Sequence, residues 1–177
     1  MSVETLGSRY VYQNNWMRVR EDRVRWPGGQ EGIYGVVEKP DFAVIIPIEE
    51  DHVYLVDQFR YPIGRRSLEF PMGADNTNPA ASHEEVARSE LREETGMSAG
   101  CLTDLGLAYS TCGYATAKFR TFVATDLKKG EPALEPAEEG LITRRLRISD
   151  FDRMILAGEI IDGQTLAAYM LFKLKWT

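Results

Sequence analysis

The stretch from Ser82 to Met97 constrains what this chain can fold into more than any other segment. Ser82 and Glu85 have the S-x-x-E spacing of a capping box, in which the hydroxyl receives the N3 amide and the carboxylate reaches back to the cap. Gly96 stands where a helix commonly takes a left-handed C′ residue. Between these signals Val86, Ala87 and Leu91 recur at helical spacing, so the helix is expected to pack on a sheet. Glu90, Glu93 and Glu94 stand at i, i+3 and i+4 and crowd three carboxylates onto one patch. Side chains at those spacings have Cβ atoms about 5–6 Å apart, where like charges destabilise a helix. Such a patch is either a solvated face relieved by Arg88 and Arg92 or a hard-oxygen site for Mg²⁺ or Mn²⁺.

The rest of the chain supplies the sheet. Pro40-Asp41 introduces a buried-strand run from Phe42 to Ile48, and Glu49-Glu50-Asp51 turns it into a returning strand from Val53 to Phe59. A short strand from Ser67 to Phe70 leads into Pro71-Met72-Gly73. The first forty residues predict short strands at Arg9–Tyr12, Trp16–Arg23 and Ile33–Glu38, punctuated by Asn14-Asn15 and Pro27-Gly28-Gly29. After the helix, strands are predicted at Leu105–Tyr109, Phe119–Ala124 and Leu141–Ile148, and helices at Ser149–Ala157 and Gln164–Trp176. The fifteen residues from Asp126 to Gly140 carry Pro132, Pro136 and several acids; so long a loop inside a compact domain is either disordered or functional. Strands and helices in this irregular order predict an α+β fold with a mixed sheet.

Charge and composition narrow the class. The 177 residues carry 21 basic and 27 acidic side chains, a net charge of −6. That argues against a nucleic-acid binder with a broad basic surface. A phosphate-bearing substrate is still acceptable if a divalent metal supplies positive charge. No apolar run approaches the roughly 20 residues of a membrane span, and Met1-Ser2-Val3-Glu4 lacks the layout of a signal peptide. Cys101 and Cys112 form no CxxC pair, and His52 and His83 are isolated, so a zinc site is not expected. A cytoplasmic protein is the expectation.

In sequence order Glu90, Leu91, Glu93, Glu94, Gly96 and Met97 match the second half of a known motif. They resemble the Nudix box, G-x5-E-x7-R-E-U-x-E-E-x-G-U with U a bulky aliphatic residue. The first half departs from it: Gly73 lies two residues early, Ala81 stands for the loop glutamate, and Ser89 for the arginine. Removing both members of that supporting pair is milder than orphaning one charge. Beyond the box, Asn14 to Trp16, Pro27-Gly28, Gln58-Phe59-Arg60, Glu69-Phe70-Pro71-Met72-Gly73 and Gly158-Glu-Ile-Ile-Asp162 resemble the ADP-ribose pyrophosphatase branch of the family. A proline of that branch, roughly fifteen residues past the box, is replaced by Cys112.

The resemblance implies an α/β/α Nudix sandwich over residues 41–177, preceded by an antiparallel β-subdomain over residues 1–40 that makes substrate and homodimer contacts. It implies metal-dependent hydrolysis of ADP-ribose or another nucleotide sugar, giving a nucleoside monophosphate and a sugar phosphate. No nucleic-acid or membrane partner is expected. Glu90 and Glu94 would hold Mg²⁺ or Mn²⁺ with the Met72 carbonyl, and Glu93 would be a ligand or orient the water. A glutamate of the acidic loop would serve as general base, with Glu139 aligning best and Glu138 beside it. Arg60 would hold a phosphate. Glu69 would lie beside the metal loop or touch a ribose, Trp16 would stack on a base, and Cys112 would be a small packing residue in a substrate loop. A triphosphate or dinucleoside polyphosphate hydrolase is an alternative, as is a non-catalytic nucleotide sensor.

Overall fold

A computed structural model describes residues 2–176 other than Asn76 and Pro79, and the chain separates into two compact units. The first comprises Met1–Asp41 with Tyr109–Lys118. Its sheet has the order β1 (Glu4–Gln13), β2 (Arg18–Arg25), β3 (Glu31–Glu38), all antiparallel. Alternating acids and bases pair across it, as in Arg9–Glu21 at 2.7 Å and Arg25–Glu31 at 2.7 Å, which favours this register over a slipped one. Between β1 and β2, Trp16 lies in a bend and is 65% exposed, not in the strand expected from Trp16 to Arg23. The reason is local: the Asn14 side chain accepts from the backbone N–H of Trp16 at 2.9 Å and of Met17 at 2.8 Å, an Asx turn that delays the strand.

The segment Tyr109–Lys118 belongs to this unit although it lies far along the chain. The Val37 amide donates to the Tyr114 carbonyl at 2.7 Å, the Thr116 amide to the Val37 carbonyl at 3.0 Å, and the Tyr34 hydroxyl to the Gly113 carbonyl at 2.7 Å. No periodicity in the sequence signals this pairing.

The second unit, Phe42–Ala108 with Phe119–Thr177, holds the other sheet. Its strands are β4 (Phe42–Glu49), β5 (His52–Arg60), β6 (Arg65–Glu69), β7 (Met72–Gly73), β8 (Ser98–Tyr109), β9 (Lys118–Lys128) and β10 (Ile142–Arg147). The order is β10-β5-β4-β9-β8, with β6 beside β5 and β7 beside β4. β4 and β9 run parallel and β4–β5, β5–β10, β5–β6 and β4–β7 antiparallel, so the sheet is mixed. Ala43, Val44, Ile45 and Ile46 are all inaccessible, because β4 is covered on both faces.

Alternation along β4 assigns the covers. Ala43 and Ile45 pack with Val86, Ala87 and Leu91 of α1 (His83–Thr95). Val44 and Ile46 join a core that includes Phe151 of α2 (Ile148–Leu156) and Ala168, Tyr169 and Phe172 of α3 (Gly163–Lys175). The α/β/α sandwich with a mixed sheet, and the antiparallel N-terminal sheet, are therefore as expected from the sequence.

The acidic loop is shorter than the sequence suggests. β9 continues to Lys128, so the expected segment Asp126–Gly140 loses its first residues to a strand, and Pro136–Glu138 form one turn of 3-10 helix. The loop is fastened to the end of α1: the Ala133 amide donates to the Glu93 carbonyl at 2.8 Å, and Gly130 lies against Gly96. A Cβ on Gly130 would stand 2.8 Å from the Gly96 oxygen, closer than backbone tolerates. Gly130→Ala is expected to cost about 1–3 kcal/mol, as for other overpacked contacts. Urea denaturation checks this, and an unchanged midpoint would mean the loop does not rest on the helix.

Candidate active site

The site is built on the inward edge of α1. Both halves of the capping box are present: the Glu85 amide donates to Ser82 Oγ at 3.2 Å and the Ser82 amide to Glu85 Oε2 at 2.8 Å. Gly96 ends the helix at φ 72°, its amide donating to the Arg92 carbonyl at 2.9 Å. With the helix phase set by Ala87 and Leu91, both inaccessible, Glu94 is carried inward and is only 2% exposed. Glu90, one turn earlier, is half-buried.

Both inward acids meet the strap that follows β6. Glu94 Oε2 accepts the Met72 amide at 3.1 Å, and the Glu90 carboxylate lies so close over Gly73 that a Cβ there would overlap it. A side chain at 73 would push the Glu90 carboxylate aside, so glycine suits this close approach. β7 pairs with β4 at Val44↔Met72 and Ala43↔Gly73, and the Ile45 amide donates to the Pro71 carbonyl at 2.9 Å. Alternation in an antiparallel ladder then turns both the N–H and the C=O of Met72 away from β4. The N–H goes to Glu94, and the carbonyl emerges on the same edge, beside the acids.

Carboxylates this close resist ionisation. Burial, then the charges of Glu93, Glu138, Glu135 and Asp75, push Glu90 up to about 8. Burial, then Glu90 and Glu138, raise Glu94 well above the ordinary range, with the Met72 amide and Arg60 only partly opposing them. Arg60 is a cation whose charge favours ionised Glu94. Burial works against its charge, yet Glu69, Glu94 and Asp162 hold its pKa above the ordinary value. Its Nε bonds both oxygens of the inaccessible Glu69 at 3.0 and 3.1 Å, and Nη2 bonds Oε2, leaving Nη1 outside this fork.

The structure thus brings Glu90, Glu94, Met72, Arg60 and Glu69 together, with the charge of Glu138 acting on both helix acids and that of Glu93 on Glu90. Glu93 is turned toward Ser89, whose hydroxyl donates to it, so the residue in the arginine position of the box still engages an acid. Glu138 is half-buried and accepts the Glu135 amide at 2.9 Å, whereas Glu139 is exposed and is not among the charges that bear on Glu90 or Glu94. Trp16 and Cys112 belong to the N-terminal unit, where Cys112 is an exposed free thiol. Sequence reasoning missed Glu135, although Glu135-Pro136-Ala137-Glu138 has the spacing of a one-turn capping box. It also assigned no role to Asp162.

Among the described residues, no three acidic, histidine or cysteine side chains converge tightly enough to make a closed metal cage. The donor set still fits Mg²⁺-like cations, which use one or two carboxylates and complete their octahedron with waters and substrate phosphates. Two raised carboxylates beside an outward carbonyl, facing further acids with one shared guanidinium, make an open site short of positive charge.

Residues 3–37 match the nucleoside diphosphate sugar hydrolase N-terminal domain. The chain is 30% identical over 172 residues to an ADP-ribose pyrophosphatase of Mycobacterium tuberculosis, covering 94% of this chain and 81% of that one. It is 25% identical over 177 residues to an ADP-ribose pyrophosphatase of Bacillus subtilis, covering 99% and 95%. A crystal structure of an ADP compounds hydrolase superposes with a TM-score of 0.86 at 22% identity, over 98% of this chain and 94% of the other, and shows the same fold.

Proposed function

The chain belongs to the Nudix hydrolase family, alongside the ADP-ribose pyrophosphatases, and we propose that it hydrolyses the diphosphate bond of ADP-ribose or another nucleotide sugar, releasing a nucleoside monophosphate and a sugar phosphate. The observation that carries this reading is the pair of buried, raised carboxylates Glu90 and Glu94 set beside the outward Met72 carbonyl.

Nudix hydrolases work with a divalent metal. We assign Mg²⁺ or Mn²⁺ to Glu90, Glu94 and the Met72 carbonyl, with Glu93 as a further ligand or water-orienting partner. When bound, the cation neutralises diphosphate charge and acidifies water. The remaining tasks fall to the chain's own side chains. Glu138 is the base we favour over Glu139, because its charge reaches both helix acids and it lies on the loop whose Ala133 is bonded to the end of α1. Glu69 fixes the plane of the Arg60 guanidinium, whose Nη1 is then directed to a phosphate oxygen. The exposed indole of Trp16 is suited to stack on a base, whereas Cys112 is exposed and does not take the packing role expected of it.

We further propose a cytoplasmic homodimer formed through the N-terminal sheet, where Tyr10, Tyr12, Ile33 and Tyr34 are exposed. Two free cysteines suit a reducing compartment.

The test is a substrate panel of ADP-ribose, ADP- and GDP-sugars, a dinucleoside polyphosphate and nucleoside triphosphates. The sugars are expected to turn over fastest. Glu138→Gln is expected to lower kcat about 100-fold and Glu139→Gln no more than about threefold. Equal losses in the two variants would remove Glu138 as the base. Turnover confined to triphosphates or dinucleotides would move the chain to those substrates.

A further inference from the structure

The strap from Glu69 to Met72 is held by three elements, and one of them is remote from the acids. On the α1 side the Met72 amide is bonded to Glu94, and at the sheet the Pro71 carbonyl is bonded to the Ile45 amide. On the opposite face the Phe70 amide donates at 3.0 Å to Oγ1 of Thr165, a fully buried threonine in the first turn of α3. The Thr165 amide in turn donates at 2.7 Å to Oδ2 of Asp162, the residue that caps α3. Asp162 also faces Arg60 and Glu69, so the cap, the strap and the guanidinium share one set of charges.

We propose that Thr165, set by the Asp162 cap, is a positioning residue that holds the strap in the register needed for the Met72 carbonyl and the Glu69–Arg60 fork. The inference rests on the metal-site reading above. Its physical basis is that Phe70, fully buried in the core, leaves its amide no route to water. Among the described residues the threonine hydroxyl is the partner of that amide, and the hydroxyl is fixed because its own backbone is tied to Asp162. Residues one step outside the ligands of a metal commonly change its affinity about 10- to 100-fold, because they fix where the ligands point. Thr165 reaches the strap from the far face of the sheet through its hydroxyl, and the strap backbone carries the effect on to Met72.

The experiment compares Thr165→Val, which keeps the shape and removes the acceptor, with Thr165→Ser, which keeps the hydroxyl. Phe172→Leu, at the other end of α3, serves as a packing control. Amide hydrogen exchange by NMR is followed at Phe70 and Met72 in metal-free protein, and Mn²⁺ affinity is measured by calorimetry. Thr165→Val is expected to speed exchange at both amides and weaken Mn²⁺ binding about tenfold. Thr165→Ser should restore both to within about twofold, and Phe172→Leu should lower the melting temperature without moving either. Wild-type Mn²⁺ affinity in Thr165→Val, or an equal loss of affinity in Phe172→Leu, would overturn the positioning role alone. Wild-type protein that binds no Mn²⁺ would overturn the metal reading together with this inference.

Discussion

Glu94→Gln is expected to abolish hydrolysis while making the metal-free protein more stable. The two effects separate because Glu94 is a proposed metal ligand whose burial works against the apo fold. The carboxylate is 2% exposed, and burial together with Glu90 and Glu138 opposes its ionisation. A glutamine of the same shape keeps an oxygen for the Met72 amide and removes the charge. Folding at neutral pH must either protonate this carboxylate or bury its charge, a cost that a glutamine of similar volume does not carry. A gain of about 1 kcal/mol would lift the melting temperature by about 2–4 °C at this chain length. The same change removes a proposed metal ligand, for which a kcat loss of about 10³-fold is expected from the size of other losses of transition-state charge stabilisation. Thermal melts in EDTA and initial rates in millimolar metal read the two effects. A variant both less stable and still active would show that Glu94 is an ordinary buried acid.

The second large effect is a pH-dependent exchange between protons and metal. In the folded chain Glu90 is raised to about 8, chiefly by burial and next by Glu93 and Glu138, and Glu94 is raised in the same direction. The folded state therefore binds more protons than the unfolded state between the ordinary carboxylate range and about pH 8, and stability falls as pH rises through that window. Metal-free protein should thus melt lower at pH 8 than at pH 5.5. Divalent metal should reverse the trend, since its binding requires the deprotonated acids and its affinity grows with pH. At 100 times the dissociation constant, binding adds about 2.7 kcal/mol to the folded state. Melting curves at both pH values, with and without Mg²⁺, check this. Equal metal-induced shifts at the two pH values would mean the cation binds elsewhere.

What the sequence made legible was local. The cap at Ser82, the stop at Gly96 and the crowding of Glu90, Glu93 and Glu94 on one patch follow from residues within sixteen positions of one another. The run of β4 was legible because burial on both faces leaves it apolar throughout. The Asx turn at Asn14 was local too, yet the aromatic Trp16 read as strand, and hydrogen bonding from Asn14 overrode that propensity. Other features are long-range and leave no periodic signature. These include the pairing of Tyr109–Lys118 with β3, the contact of Gly130 with Gly96 and the hold of Thr165 on Phe70. The site shows the same division. The helix acids could be read directly, whereas the nearness of Glu138 rather than Glu139 depends on how the loop is pinned to α1.

The most direct measurement follows ADP-ribose by chromatography with the wild-type chain, first in EDTA and then in millimolar Mg²⁺. The expected result is no change in EDTA, and equal amounts of AMP and ribose 5-phosphate once Mg²⁺ is present. ADP-ribose left intact in Mg²⁺ and in Mn²⁺ would contradict the assignment of this acid cluster as a metal-dependent pyrophosphatase centre.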